Sequence, residues 1–139
     1  YHIPMEGQKV AVVGKSLTVG LPTALLMMNE EATVSVCHIL SRPEDTRQLC
    51  RQADIVISAA GCAGLIRADY VRPGQVVVDV GVNVGKDGVM RGDAAFEEVE
   101  PIVKAITPVP GGVGAITSTV LMAHVVEAAM RQKGLKKQR

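Results

Sequence analysis

The chain has 139 residues, a formal net charge of +1 and an isoelectric point near 7.9. That length suits one domain, and the near-neutral charge sets up no field for nucleic acid or a membrane surface. It is 47% hydrophobic, yet only Tyr1, Tyr70 and Phe96 are aromatic, so small and branched aliphatics must fill the core and base-stacking platforms are excluded.

No apolar run reaches the roughly 18 residues of a membrane span, and no signal-peptide pattern opens the chain. Cys37, Cys50 and Cys62 are odd in number and lack CxxC spacing. They read as reduced thiols of a cytosolic or organellar matrix protein, not as a disulfide framework or zinc site.

Residues 9–13 are a β-branched run closed by Gly14 and read as a buried strand. Residues 20–30 read as a helix with Pro22 in its first turn, where a missing N–H costs little. Residues 33–37 form a second strand, and residues 43–52 a polar helix that Pro43 can start. Strands follow at 54–59, closed by Gly61, and at 75–79, closed by Gly81. A turn at Lys86-Asp87-Gly88 leads to a short β segment at 89–91, then a short helix over 93–99. Residues 103–106 read as another strand. The longest helix spans 116–132, with Gly134 as its C-terminal cap. The tail, residues 131–139, carries five Lys/Arg and no acid. It reads as a solvated terminus, with a phosphate or neighbouring domain as the alternative contact.

Apolar strands alternating with helices predict a parallel sheet covered on both faces. The fold class is therefore α/β, a doubly wound, Rossmann-like sheet, as a single domain over residues 1–139. Tyr1-His2-Ile3-Pro4 runs almost directly into the first strand, so the expectation is a piece of a longer protein.

Ligands of such sheets lie beyond the carboxyl ends of the strands. The first such end is Gly14-Lys15-Ser16-Leu17-Thr18-Val19-Gly20. Ser16 stands where a dinucleotide fingerprint has its middle glycine, and the last glycine comes one position late. The backbone N–H groups of a helix start still form an anion site, to which Lys15 and Ser16 add donors. The second strand ends in Cys37-His38-Ile39-Leu40-Ser41-Arg42, with no acid to bind ribose hydroxyls. Lys15, His38 and Arg42 can together face a 2′-phosphate, which favours NADP. Otherwise His38 bonds nearby backbone and Arg42 is a solvated charge. Small residues at 58–62 and 79–83 leave room for a flat dinucleotide. Asp79 reads as a loop cap, Gly92-Asp93 as a helix cap, Cys62 as a loop residue and His124 as structural. No nucleophile–base pair, paired carboxylates or metal cluster emerges.

The motifs VVGKSLTVGLP (12–22), ATVSVCH (32–38), QADIVISAAG (52–61), VVVDVGVN (76–83), GD (92–93) and ITPVPGGVGAIT (106–117) carry a resemblance. The chain resembles the C-terminal, cofactor-binding domain of methylenetetrahydrofolate dehydrogenase/methenyltetrahydrofolate cyclohydrolase, from Met5 to about Arg131. The resemblance implies cofactor contacts at Gly14, Lys15, Ser16, Val19, His38, Ile39, Ser41, Arg42, Ala60, Gly61, Val82 and Thr117. It implies folate contacts at Pro110, Gly111, Gly112, Val113 and Gly114, in a loop where Pro108 and Pro110 give stiffness and a cis bond is expected. The sequence departs from the family at Lys15 (usually Arg), Ile39 (often Ser or Arg) and Ala115-Ile116 (usually Pro-Met). The cofactor implied is NADP, with NAD open. The family's catalytic Lys and Tyr and its folate-gripping Asp lie in an N-terminal domain, so the chain alone is expected to be inactive. The implied partners are the folate substrate, that missing domain and a second copy in a homodimer, with no nucleic acid and no membrane. The implied compartment is the cytoplasm, or the mitochondrial matrix. The rival readings are a non-catalytic nucleotide-binding module and another two-domain dehydrogenase.

Overall fold

The computed structural model describes residues 1–134. The elements run β1 (Lys9–Val13), α1 (Gly20–Asn29), β2 (Thr33–Cys37), α2 (Pro43–Gln52) and β3 (Ile55–Ser58). A 3₁₀ turn (Ala68–Tyr70), β4 (Val76–Asp79), β5 (Asn83–Val84), β6 (Met90–Arg91), α3 (Phe96–Val99), β7 (Ala105–Ile106) and α4 (Val113–Gln132) follow. The order β2-β1-β3-β4-β7 makes a five-stranded sheet. All its pairs are parallel. This is the doubly wound sheet that the alternating pattern predicts.

Successive residues of β1 feed opposite faces. Ala11 and Val13 pack with Cys50, Val56, Val77 and Tyr70 on one side. Val10 and Val12 pack with Ala24, Ile55 and Ile57 on the other. Each such buried Val contributes about 1.5–3 kcal/mol relative to an exposed one. Tyr70 is the one aromatic residue in either cluster, as the composition requires. The carboxyl end of α2 is closed by side chains: Gln75 donates to the carbonyls of Cys50 and Ala53 at 2.7 Å each.

The structure departs from the sequence reading in five places, one of them the strand expected over residues 103–106, which is only Ala105–Ile106. The segment 89–91 is one arm of an antiparallel hairpin with β5, which went unforeseen, as did the 3₁₀ turn. Both are short and held by tertiary pairing, so local periodicity does not announce them. The helix predicted over 93–99 is only Phe96–Val99, and its N-cap, Ala95, makes no side-chain cap bond. The last helix starts at Val113, inside the glycine-rich loop.

Gly134 has φ +68, the left-handed cap expected of it. The expectation for the basic tail falls largely on residues 135–139, outside the described residues.

α4 carries the largest correction. None of its residues is buried, and Ile116, Leu121, Met122, Val125 and Val126 are all more than half exposed. Its 20 residues, mean hydropathy 1.5, are long and apolar enough by length and composition to cross a membrane. No uninterrupted apolar run in it is of membrane-spanning length, but averaged over its Ser, Thr and His positions the helix is still that apolar. His124, expected among apolar neighbours, is exposed.

Candidate functional site

The loop after β1 enters the candidate site. Gly14 has φ +134, and a Cβ there would run into the carbonyl of Ala59 on the neighbouring strand end. A Cβ on Gly20 would run into the carbonyl of Gly14. The two glycines therefore let three backbone segments meet at the crossover between β1 and β3. Ser16 Oγ accepts the N–H groups of Val19 (3.1 Å) and Gly20 (3.3 Å), so this hydroxyl caps α1. The backbone N–H groups of residues 15–18 have no acceptor among the described residues. Lys15, Ser16, Leu17 and Thr18 are exposed. Unpartnered amides at a helix start, beside a lysine, are what an anion needs.

The end of β2 folds into a tight turn. His38 N–H donates to Ser41 Oγ at 3.0 Å, and His38 Nδ1 accepts the Leu40 N–H at 3.2 Å. This is the backbone hydrogen bond foreseen for His38. A hollow of about 50 Å³ beside the turn is lined by His38, Ile39 and Ser41. Arg42 turns away onto Asp45, with Nε–Oδ2 at 2.8 Å. That pairing raises its pKa. A phosphate here would compete with Asp45 for the guanidinium.

Two buried carboxylates organise the ends of β3, β4 and β7. Asp79, 3% exposed, accepts the N–H groups of Gly81 (2.8 Å), Asp93 (3.0 Å) and Ala94 (2.8 Å). The loop cap expected of Asp79 is borne out. Burial pushes its carboxyl above the usual range and the Asp93 charge adds to this, while the three amides pull it back. Thr107 Oγ1 accepts the Asp79 N–H at 2.8 Å and so ties β7 to β4. Asp93 is fully buried and bonds the loop after β3. It is not the helix cap predicted from its position ahead of α3. A Cβ on Gly81 would strike the Asp93 carboxylate, and one on Gly92 the Asp79 carboxylate. Each glycine thus makes room for the other segment's acid.

Beyond these strand ends lies a cleft of about 520 Å³, within the range of small-molecule sites. One wall is the loop before α4. There the Val109–Pro110 bond is cis, Gly111 has φ +97 and a Cβ on Gly112 would strike the Pro108 carbonyl. Val19, Val82 and Met90 face it from the other side. The polar side chains of the lining are engaged with backbone. Thr117 and Ser118 donate to the helix carbonyls of Val113 and Gly114 at 3.1 Å each, and Asp79 holds its three amides. Cys62 sits half-buried in the loop after β3, its N–H on Asp93. Cys50 is wholly buried and lies outside the cleft, and its burial beside Cys37 pushes its thiol up. No cluster of three metal-ligating side chains occurs among the described residues.

The family model for the tetrahydrofolate dehydrogenase/cyclohydrolase NAD(P)-binding domain matches residues 1–133. The chain belongs to that family. The bifunctional protein FolD of Carboxydothermus hydrogenoformans is 50% identical over 137 residues, covering 97% of this chain and 47% of that protein. The crystal structure of the bifunctional FolD enzyme from Campylobacter jejuni superposes with a TM-score of 0.89 at 45% identity, over 95% of this chain and 46% of that one. The Trypanosoma brucei enzyme, solved with NADP and an inhibitor, gives 0.86 at 36% identity, over 94% of this chain and 46% of that one. The chain spans about half the length of the curated relatives it matches.

Of the residues expected at the site of a family member, Val19, Val82, Thr117 and Pro110, Gly111, Gly112, Val113 and Gly114 line the one cleft. His38, Ile39 and Ser41 line the separate small hollow. Gly14, Lys15 and Ser16 form the exposed loop beside β1, and Ala60 and Gly61 the loop after β3. Met90 on the cleft and the grip of Asp93 on the loop after β3 were not anticipated here. The available signal was the glycine next to one acid and two positions after the other: Gly92 before Asp93, Gly81 after Asp79.

Proposed function

We propose that this chain is the cofactor-binding half of a bifunctional enzyme of one-carbon metabolism. That enzyme oxidises 5,10-methylenetetrahydrofolate with NADP and hydrolyses the methenyl product. The observation that carries this reading is the run of unpartnered amides at residues 15–18 beside Lys15, at the mouth of the crossover between β1 and β3. These residues fit the phosphates of a dinucleotide. Lys15, His38 and Ser41 would hold its 2′-phosphate end, and Ala60, Gly61, Val82 and Thr117 its other end. The bare wall of Pro110, Gly111, Gly112, Val113 and Gly114 would take the flat folate ring. When bound, the nicotinamide supplies the hydride acceptor, and the chain's own residues orient it and exclude water.

The relative from Trypanosoma brucei, solved with NADP, supports NADP over NAD. Lys15 and Ile39 keep NAD as the weaker alternative. Among the described residues the cleft's polar side chains are engaged with backbone, which supports the reading that the chain is inactive alone. The same engagement favours a second reading, a non-catalytic nucleotide-binding module. The uncovered apolar face of α4 suits the other half of the parent protein, and a homodimer would form through a sheet edge or outer helix. We assign no nucleic-acid or membrane partner, and a cytoplasmic or mitochondrial matrix location.

The test is calorimetric titration of the chain with NADP and with NAD, beside a hydride-transfer assay on the chain and on its full-length parent. The expected result is tighter binding of NADP, no turnover by the chain and turnover by the parent. Binding of neither dinucleotide would leave only the fold standing, and turnover by the chain alone would overturn its inactivity.

A further inference from the structure

The loop after β3 has a run of backbone amides like the loop after β1, but here the amides are filled from inside the protein. Asp93, 0% exposed, accepts five hydrogen bonds. Its Oδ2 takes Ser58 Oγ–H (3.1 Å) and the N–H groups of Ala60 (2.6 Å) and Gly61 (3.1 Å). Its Oδ1 takes the Cys62 N–H and the Asn83 side-chain amide, each at 2.9 Å. Three successive amides around one carboxylate make an anion nest whose anion is a side chain of the same chain.

We infer that Asp93 is a positioning residue for the dinucleotide, holding the loop after β3 and the start of β5 in register with the phosphate loop. The inference rests on the dinucleotide reading above. Both carboxylate oxygens face backbone N–H donors, Cys62 on one and Ala60 and Gly61 on the other. A carboxamide, whichever way it turns, sets an NH2 group against at least one of them. Two accepting oxygens are therefore required, not only the shape.

The consequence for a ligand follows from where the amides go. With the N–H groups of residues 60–62 turned onto Asp93, those three amides are not left for a phosphate. The loop offers its carbonyls and bare surface instead. Gly61, φ +65, is exposed, and a Cβ there would meet no atom within 4 Å. The carbonyl of the preceding Ala59 abuts Gly14, so the position of this loop also sets the phosphate loop. The bond to Asn83 carries the same grip to the residue beside Val82, which lines the cleft. One carboxylate thus ties two loops that lie on different strands and are joined by no backbone hydrogen bond to each other among the described residues.

The test is NADP and NAD titration of the native chain, Asp93→Asn and Asn83→Ala, each well below its melting temperature. Val99→Ala is a core control, matched in melting loss and remote from the cleft. Asp93→Asn is expected to weaken both dinucleotides by the same factor, about 10- to 100-fold, as expected for misplacement on the order of 1 Å. Asn83→Ala loses one tether and is expected to weaken both about fivefold, which decides the matter should Asp93→Asn not fold. Val99→Ala is expected to bind as the native chain does. Native affinity in a folded Asp93→Asn or in Asn83→Ala overturns the inference alone, as does an equal loss in Val99→Ala. A native chain that binds neither dinucleotide overturns the cofactor reading, and this inference with it.

Discussion

The loops after β1 and β3 lie side by side at the same edge of the sheet, each with a glycine at positive φ: Gly14 at +134 and Gly61 at +65. They differ in what fills their amides. Residues 15–18 leave theirs open to solvent, whereas residues 60–62 give all three to Asp93. A glycine-rich loop is therefore not an anion site by virtue of its glycines. It is one only when no internal acceptor has reached it first. On the reading proposed above, the first loop takes the phosphate, while residues 60–62 of the second keep their amides on Asp93.

Breaking the first loop should have the largest effect. Gly14→Ala puts a Cβ into backbone at Ala59, which cannot rotate away, and adds strain at φ +134. A loss of roughly 3 kcal/mol or more, or failure to fold, is expected in urea unfolding. Native stability would mean that the β1–β3 crossover is looser than described.

Removing only the charge sharpens the contrast. Lys15→Ala is expected to leave the melting temperature unchanged, because Lys15 is exposed. It should weaken NADP by about 1.5–3 kcal/mol, as for a lost hydrogen bond to a charged group. The loss should shrink at high salt, since exposed charges are screened. Calorimetry that finds equal affinity in the two proteins would remove this loop from the phosphate site.

The second loop should respond more mildly. Gly61→Ala meets no neighbour but holds φ +65, so it is expected to cost about 1–2 kcal/mol of stability by thermal unfolding. Its Cβ points into the open space assigned to the dinucleotide, so affinity should fall as well. A variant with lower stability and full affinity would show that nothing lies against Gly61.

The smallest effect belongs to an acid outside both loops. Asp87, in the exposed hairpin turn, is held down to about 2, first by its hydrogen bonds with Arg91 and then by the Val89 amide. Its folded pKa is lowered. Its contribution is therefore full above its ordinary 3.8 and disappears as pH falls through about 2. Asp87→Asn should melt slightly lower than the native chain at neutral pH and converge with it towards pH 2. A difference that persists at the acid end would mean that the charge is not its source.

Much of this was legible from short stretches. β1, β2 and α2 have the bounds that residues 9–13, 33–37 and 43–52 predict, because apolar runs, flanking glycines and Pro43 act locally. The glycine-rich loop before α4 was legible as one wall of a site, since its prolines and glycines speak for themselves. Asp93 was not. An acid ahead of a short helix reads as a cap, and only its contact with residues some 30 positions earlier in the chain shows otherwise. Arg42 shows the local counterpart: its partner, Asp45, is three residues away, in a pair that a phosphate would have to share.

The sequence by itself determined the alternation of the parallel strands with helices, the two-sided aliphatic core and the family. Those depend on periodicity and composition, which neighbours along the chain express. Only the tertiary structure decided which amides stay open, that two acids are buried together and that α4 has no cover among the described residues. Each of those depends on which distant atom arrives first at a donor or an apolar face, and chain-local preference carries no record of that.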